Sequence, residues 1–334
     1  MKVIVCTRDL DLGGTGSHVK MVLRGYERDK GIEEVLVIGP KELEGYNSKI
    51  KFLVLGGGGK YFITRVPNFA LKCDRILRNL SRHYDRIESH YSFYAREYKV
   101  PLVIKFHGLH KSIIRDYPKT PKFILASIFH KVYSYFDYRT IKYASKVLFV
   151  SKKTMEEAKR FYPQFRDKFH HSPNSIDKSK FPKLSLHQRI KIKKELKLDD
   201  NKKNILYVGR LEPLKGVSLL IETIKDINDH RIRLLVIGDG PLKREVNRYD
   251  SVKYIGKILN NELFKYYNAA DLFVLPSYYE NCPMTVLEAL SCGCQILASN
   301  VGDNGFYLNK DDLFDINNKD QLKAKIKERL KLEG

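Results

Sequence analysis

The sequence predicts an α/β protein built from two doubly wound domains, each with a largely parallel sheet. Three observations carry that expectation. Strand-like runs and helical patterns alternate along nearly the whole chain, as βαβ units do. The strand-like runs, such as Lys2 to Cys6 and Leu272 to Leu275, are mostly apolar rather than alternating, as parallel strands covered on both faces are. The chain has 334 residues, enough for two ordinary domains with sizeable cores.

Taken in order, Lys2 to Cys6 is the first buried strand. It runs into Asp11-Leu12-Gly13-Gly14-Thr15-Gly16-Ser17-His18 and then a helical pattern from Val19 to Tyr26. A Gly-rich turn there lets a phosphate approach the backbone closely. A tight turn that binds nothing fits the same residues. The spacing is not G-x-G-x-x-G, and no Walker lysine follows. Val35 to Gly39 and Lys51 to Leu55 read as further strands. Gly56 to Gly59 with Lys60 fails the P-loop pattern, because Tyr61 stands at the Ser/Thr position, and reads as a flexible loop. Arg86 to His90 and Pro101 to Phe106 are strands again, and His107 sits at a carboxyl end, where open α/β sheets bind ligands. His90 and His110 are poorer candidates.

From Lys111 to Lys146 cations and aromatics crowd together, among them Arg115, Tyr117, Lys119, Lys122, Phe123, Phe129, Lys131, Tyr133 and Phe136. Such a surface suits an anionic membrane or acceptor. A core-facing aromatic stripe backed by solvated lysines suits the pattern as well. Lys146 to Ser151 and Lys168 to His171 are strands flanking a helix that ends near Tyr162. The lysine-rich stretch after Ser175 reads as a connection. This sets the domains at 1–175 and 204–334, with 176–203 between them.

The second domain opens on the strand Asn204 to Gly209. A helix follows Gly216, then come strands at Arg233 to Ile237, Val252 to Ile255 and Leu272 to Leu275, with Glu262 to Ala270 helical. The stretch Ser277 to Gly293 organises this half. Pro283 suits the first position of a helix and Gly293 its stop. Glu280 lies before that helix and Glu288 inside it. The N–H groups of Asn281, Met284 and Thr285 are offered to an anion. Amides for negative charge and carboxylates for hydroxyls suit a sugar nucleotide. An amphipathic helix with solvated glutamates is the competing reading. Gln295 to Ser299 is a further strand and Lys319 to Leu332 a closing helix.

Composition bounds the rest. Hydrophobic residues at 43% and charged residues at 30% are the proportions of a globular chain, not a disordered one. No apolar run approaches the ~20 residues that span a bilayer. The first residues lack a signal-peptide layout, so a cytoplasmic protein is expected, with a peripheral position on the cytoplasmic membrane face as a further expectation. Cys6, Cys73, Cys282, Cys292 and Cys294 complete no metal site and read as core thiols. The net charge of +22 attracts anions in general. No nucleic-acid motif accompanies it, so nucleic acid is not an expected partner.

Four segments then fall in a recognisable order: Phe106-His107-Gly108, the stretch Gly209-Arg210-Leu211-Glu212-Pro213-Leu214-Lys215-Gly216, Gly238-Asp239-Gly240-Pro241, and Glu-x7-Glu from Glu280 to Glu288. Together, over nearly the whole chain, they resemble the retaining glycosyltransferases of family 4. The resemblance implies the GT-B fold, two Rossmann-like domains whose parallel sheets face a central cleft, with the acceptor on the first domain and the donor on the second. It implies metal-independent, retaining transfer of a hexose from a UDP- or GDP-sugar to an acceptor hydroxyl, in glycan, glycolipid or polysaccharide assembly. The nucleotide sugar is a co-substrate and no cofactor is expected.

Residue by residue, the match puts Gly13 and Gly14 against the donor diphosphate. It puts Arg210 and Lys215 on that diphosphate where other transferases use a metal. His107 would lie beside the transferring sugar, Glu280 on the sugar and Glu288 on the ribose hydroxyls. The base would rest near Lys257 and Ile258. Gly238, Asn281, Cys282, Met284 and Thr285 would complete the donor site. The chain departs from the family at Ser175, where a glycine is usual, and at Val301 to Gly305, which is compressed and lacks a glutamate. The acceptor is expected to be a glycan or lipid-linked, near an anionic membrane; the oligomeric state is not indicated. Two other functions compete: a sugar-nucleotide epimerase or hydrolase of the same architecture, and, more distantly, a nucleic-acid-binding protein suggested by the charge.

Overall fold

The computed structural model describes residues 1–8, 10, 14–55, 62–116 and 121–332. The chain divides into two compact units, Met1–Asn174 and Ser175–Gly334.

In the first unit the elements run β1 (Lys2–Cys6), α1 (Gly14–Arg28), β2 (Glu34–Gly39), β3 (Ile50–Val54), α2 (Phe62–Leu80), β4 (Arg86–Ser89), β5 (Leu102–Phe106), α3 (His110–Asp116), α4 (Pro121–Tyr143), β6 (Lys146–Phe149), α5 (Lys152–Phe161) and β7 (Phe169–His171). All seven strands pair in parallel in the order β3-β2-β1-β4-β5-β6-β7. The apolar β1 serves two cores at once, because successive side chains leave a strand on opposite faces. Val3 and Val5 join Val19 and Leu23 of α1, while Ile4 and Cys6 join Phe69, Cys73 and Leu77 of α2.

Two expectations change here. The first helix begins at Gly14 rather than Val19, so Gly14 is already helical. The helix α2 was not anticipated, and Pro67 in its sequence, a residue that normally ends a helical pattern, is the physical reason. Gly13 and the Gly56 to Lys60 run, with Tyr61, lie outside the described residues.

The second unit contains α6 (Leu186–Glu195), β8 (Lys203–Val208), α7 (Val217–Ile227), β9 (Ile232–Ile237), α8 (Lys243–Val246), β10 (Val252–Gly256), α9 (Leu263–Ala269), β11 (Leu272–Leu275), α10 (Met284–Ser291), β12 (Ile296–Ser299), α11 (Asn304–Tyr307), β13 (Leu313–Phe314) and α12 (Lys319–Leu330). Its six strands are again all parallel, in the order β10-β9-β8-β11-β12-β13. The residues 176–203, read from sequence as a connection, are packed into this unit. Phe181, Ile192 and Leu198 are buried in the same core as Leu206 and Phe273. Their apolar positions outweigh the lysines between them, which stay at the surface.

All five cysteines are free and buried. Among the described residues no helix is long and apolar enough to cross a membrane, and no His/Cys/Asp/Glu group could hold a metal ion.

Candidate active site

Strand order reverses beside β8, with β9 on one side and β11 on the other. In an open parallel sheet the helices after those strands leave toward opposite faces, which opens a crevice at the carboxyl ends. Two loops of the expected motifs lie there: Gly209 to Gly216 after β8, and Pro276 to Pro283 after β11.

The first loop closes in a short 3₁₀ turn, Pro213–Lys215, and ends at Gly216, the N-cap of α7. Gly216 is left-handed, φ +67°, and a Cβ there would lie 1.7 Å from the Pro276 carbonyl oxygen. Only glycine allows the two loops to meet this closely. The Tyr278 N–H donates to the Leu214 carbonyl at 2.9 Å and ties them further. Lys215 and Glu280 are thereby brought together, with Nζ to Oε1 at 2.5 Å.

Glu280 is asymmetrically held. Oε1 also accepts from the Ser277 hydroxyl at 2.8 Å, whereas Oε2 has no partner among the described residues. Its side chain is 12% exposed and that of Lys215 22%. Arg210 is different. Its guanidinium is 66% exposed and pairs with Glu212 at 3.0 Å, so it adjoins the pair by sequence without joining it. Its backbone is fixed by the buried Tyr207, whose hydroxyl donates to the Arg210 carbonyl at 2.9 Å. Burial, then the nearby Glu280 and Glu212, hold that phenol well above its ordinary range.

Pro283 is the N-cap of α10 rather than its first helical residue, and no side chain caps the helix. Val286 and Leu287 donate back to the Pro283 carbonyl, while the N–H groups of Met284 and Thr285 have no partner among the described residues. A helix start with open amides carries partial positive charge and suits an anion. Asn281 and Cys282 are used in building the loop: the Asn281 carbonyl accepts from the Asp303 N–H at 3.1 Å, and Cys282 Sγ lies 3.4 Å from the Tyr307 hydroxyl. Gly238 follows β9. Its N–H already donates to the Gly256 carbonyl at 2.9 Å, and a Cβ there would lie 1.8 Å from the Gly209 carbonyl oxygen, so Gly238 lets the loop after β9 close on the loop after β8 and supplies no open donor.

Glu288 is not a solvated face of α10. It is 5% exposed, Tyr267 donates to its Oε2 at 2.8 Å, and the Asn260 amide approaches Oε1 at 3.5 Å. Burial pushes its carboxyl up to about 7, and the two hydrogen bonds pull only partly the other way. Asn260 belongs to the loop after β10 that carries Lys257, exposed, and Ile258, packed on the core. The loop expected to meet the base thus touches the carboxylate expected to meet the ribose. Tyr267 and Asn260 were not singled out from sequence, since nothing in a helical pattern or a loop marks which distant carboxylate it meets.

In the first unit, His107 follows β5 and packs with His90 and with His18 of α1, at ring separations of 5.5 to 5.7 Å. His90 Nδ1 lies 3.4 Å from His107 Nε2. Burial holds all three imidazoles low, His18 at about 4 and His90 at about 3; repulsion from neighbouring rings adds to this at His90 and His107, and Lys105 adds to it at all three. They are neutral at pH 7. His18 lay in the Gly-rich stretch but was not distinguished from it. His110 is engaged elsewhere, Nδ1 3.0 Å from the buried Asp137. Of the basic and aromatic stretch, Tyr133 and Phe136 are core, while Lys131, Val132 and Tyr135 are exposed. Tyr117 and Lys119 lie outside the described residues, as do the side chains of Arg115, Lys122, Phe123 and Phe129.

Comparison with known proteins adds the family. A model described as Glycosyltransferase Family 4 matches residues 12–180, and one described as Glycosyl transferases group 1 matches residues 188–334. A Bacillus subtilis (strain 168) glycosyltransferase named for teichuronic acid biosynthesis, TuaC, is 32% identical over 212 residues, which is 61% of this chain and 48% of that protein. The match thus spans about half the length of that relative. Among solved structures, sucrose-phosphate synthase from Thermosynechococcus elongatus superposes with a TM-score of 0.80 at 18% identity, covering 99% of this chain and 90% of that one. Anabaena Alr3699/HepE in complex with UDP and glucose gives a TM-score of 0.71 at 16% identity, with 99% and 90% covered. At these identities the likeness is one of fold: two Rossmann-like units with parallel sheets, as in the GT-B class.

Proposed function

Because the chain belongs to glycosyltransferase family 4, we propose that it transfers a hexose, with retention, from a UDP-linked donor to an acceptor hydroxyl in glycan or glycolipid assembly. The observation that carries this reading is the Lys215–Glu280 pair with its open Oε2, at a crevice that also holds the uncapped start of α10. The complex of HepE with UDP and glucose supports a uridine nucleotide by analogy of fold.

In this reading the donor diphosphate lies against Lys215 and the Met284 and Thr285 amides, with Arg210 swinging from Glu212 to join them. Charge that develops on the leaving phosphate is met by fixed donors in a partly dry site. No metal is needed, because a cation and two amides already face the anion. Glu280 Oε2 accepts from a sugar hydroxyl, and Glu288 accepts from the ribose. The bond from the anomeric carbon to phosphate oxygen breaks while the bond to the acceptor oxygen forms on the same face. The leaving phosphate oxygen takes the acceptor proton, so no protein base is required. The neutral His107 would lie by the sugar without adding charge. A glycan or lipid-linked acceptor and a place at the cytoplasmic face of an anionic membrane complete the reading.

The test follows UDP-glucose by NMR with purified protein in excess chelator. Release of UDP with the α-anomer of glucose as the first product, free or transferred, is expected. The β-anomer first, or release only after Mg²⁺ or Mn²⁺ is added, overturns the retaining or the metal-free reading respectively.

A further inference from the structure

We propose that Ser277 is a positioning residue for Glu280, selecting which carboxylate oxygen is presented to substrate, and that the segment from Ser299 to Asn304 holds Ser277 in place. The inference rests on the reading of Glu280 given above.

Both donors that reach Glu280 fall on one oxygen. Lys215 Nζ and Ser277 Oγ meet Oε1 at 2.5 and 2.8 Å, and Oε2 is left without a partner among the described residues. A carboxylate held by one flexible lysine alone can turn about its last torsion, which is broad and two-fold, and exchange its oxygens. A second donor on the same oxygen, from a short side chain with a single rotor, removes that freedom. Ser277 is fully buried and is well suited to the task.

Ser277 is itself anchored from behind. Its carbonyl accepts from the Ser299 hydroxyl at 2.5 Å, and the Ser299 carbonyl accepts from the Asn304 amide at 2.8 Å. Ser299 and Asn304 are both buried. Gly302, at φ +57°, presses on the other end of the loop: a Cβ there would lie 1.9 Å from the Glu280 carbonyl oxygen. The Asp303 N–H to the Asn281 carbonyl, at 3.1 Å, closes the same contact. The short turn after β12 therefore fits against the glutamate loop along its length. Its compression in sequence is what such a close fit requires.

A role in packing alone predicts that losing the Ser277 hydroxyl loosens the whole loop, including the amides that would meet the diphosphate. A positioning role predicts a loss confined to the sugar. Calorimetric titration with UDP and with UDP-glucose separates the two. In Ser277→Ala we expect UDP-glucose to bind roughly ten- to hundredfold more weakly, as for one lost bond to a charged group, while UDP stays within about twofold of wild type. Ser277→Cys, nearly the same size with a weaker donor, should fall between, and it replaces the alanine variant if that fails to fold. Glu280→Gln is the control. If Glu280→Gln binds UDP-glucose as wild type does, or wild type binds neither nucleotide, the reading of Glu280 falls and this inference with it. If Glu280→Gln is weakened but the serine variants are not, or if the serine variants lose UDP and UDP-glucose alike, the positioning role alone is overturned.

Discussion

Replacing Glu288 by Gln should stabilise the second unit at high pH and not at low pH, while removing donor affinity. Glu288 is buried against Tyr267 and Asn260, and its carboxyl titrates at about 7 instead of the ordinary 4.5. Below pH 4.5 the group is protonated in both folded and unfolded chains and burial is neutral. Between 4.5 and 7 the unfolded chain releases a proton that the folded chain keeps, so stability falls as pH rises. Each pH unit across that window is worth about 1.4 kcal/mol. By pH 8 the wild type should therefore have lost about 3 kcal/mol that Glu288→Gln, with no proton to release, keeps. For a unit of this size that corresponds to a midpoint roughly 6–12 °C higher for the variant at pH 8, with the two proteins nearly equal at pH 4.5. Thermal unfolding of both proteins at pH 4.5, 6, 7 and 8, with UDP titrated at each, makes the measurement. Parallel stability curves across this range would refute the reasoning, since Glu288 would then be an ordinary solvated carboxylate. Equal UDP affinity would separately remove its role on the ribose.

Other outcomes follow from the same geometry. Lys215→Ala should lower the transfer rate by about 10²–10³, the usual effect of removing a preorganised donor at the developing charge, with folding intact by circular dichroism. Arg210→Ala should also lower the rate, and near-normal rates in both variants would remove the diphosphate roles. Gly216→Ala should destabilise by about 2–5 kcal/mol in urea unfolding, combining a left-handed backbone with a Cβ 1.7 Å from the Pro276 oxygen. A wild-type midpoint would show that the two loops are not held together there. Salt-reversible sedimentation with anionic liposomes is expected for the wild type, and should be lost when Arg115, Lys119, Lys122 and Lys131 are all changed to Gln. Equal sedimentation of both would make this stretch an ordinary solvated face.

The sequence was most informative where one local rule acts alone. Apolar runs such as Leu272 to Leu275 became strands because burial on both faces of a parallel sheet demands them, and Gly293 stands where α10 stops, with φ +65°. It was least informative where two distant segments decide together. Lys215 and Glu280 lie 65 residues apart, and only the adjacency of β8 and β11, with β9 and β10 placed on the far side, makes them neighbours. The basic, aromatic stretch left core and surface open because both need aromatics on a helix. The structure divides them residue by residue, Tyr133 and Phe136 inward, Val132 and Tyr135 outward. Pro67 hid α2, because the rule against proline inside a helix is strong but not absolute.

The two glutamates of the Glu-x7-Glu element show why a motif names residues but not their states. Both are carboxylates of one loop and helix, eight positions apart, yet their partners and burial differ. Glu280 meets a lysine and a serine at the crevice and keeps one oxygen open among the described residues. Among the described residues Glu288 is hydrogen-bonded by a phenol and an amide and by no cation, and burial works against its charge. A ligand that brings hydroxyl donors to Glu288 would favour its charged form and release the proton it holds near neutrality. Donor binding should then be accompanied by proton release that is largest somewhat below pH 7, still present at pH 7 and small at pH 9. Calorimetry of UDP binding in buffers of different ionisation enthalpy reads that proton directly. The absence of any buffer dependence at pH 7, with UDP bound, would show that Glu288 does not meet the nucleotide.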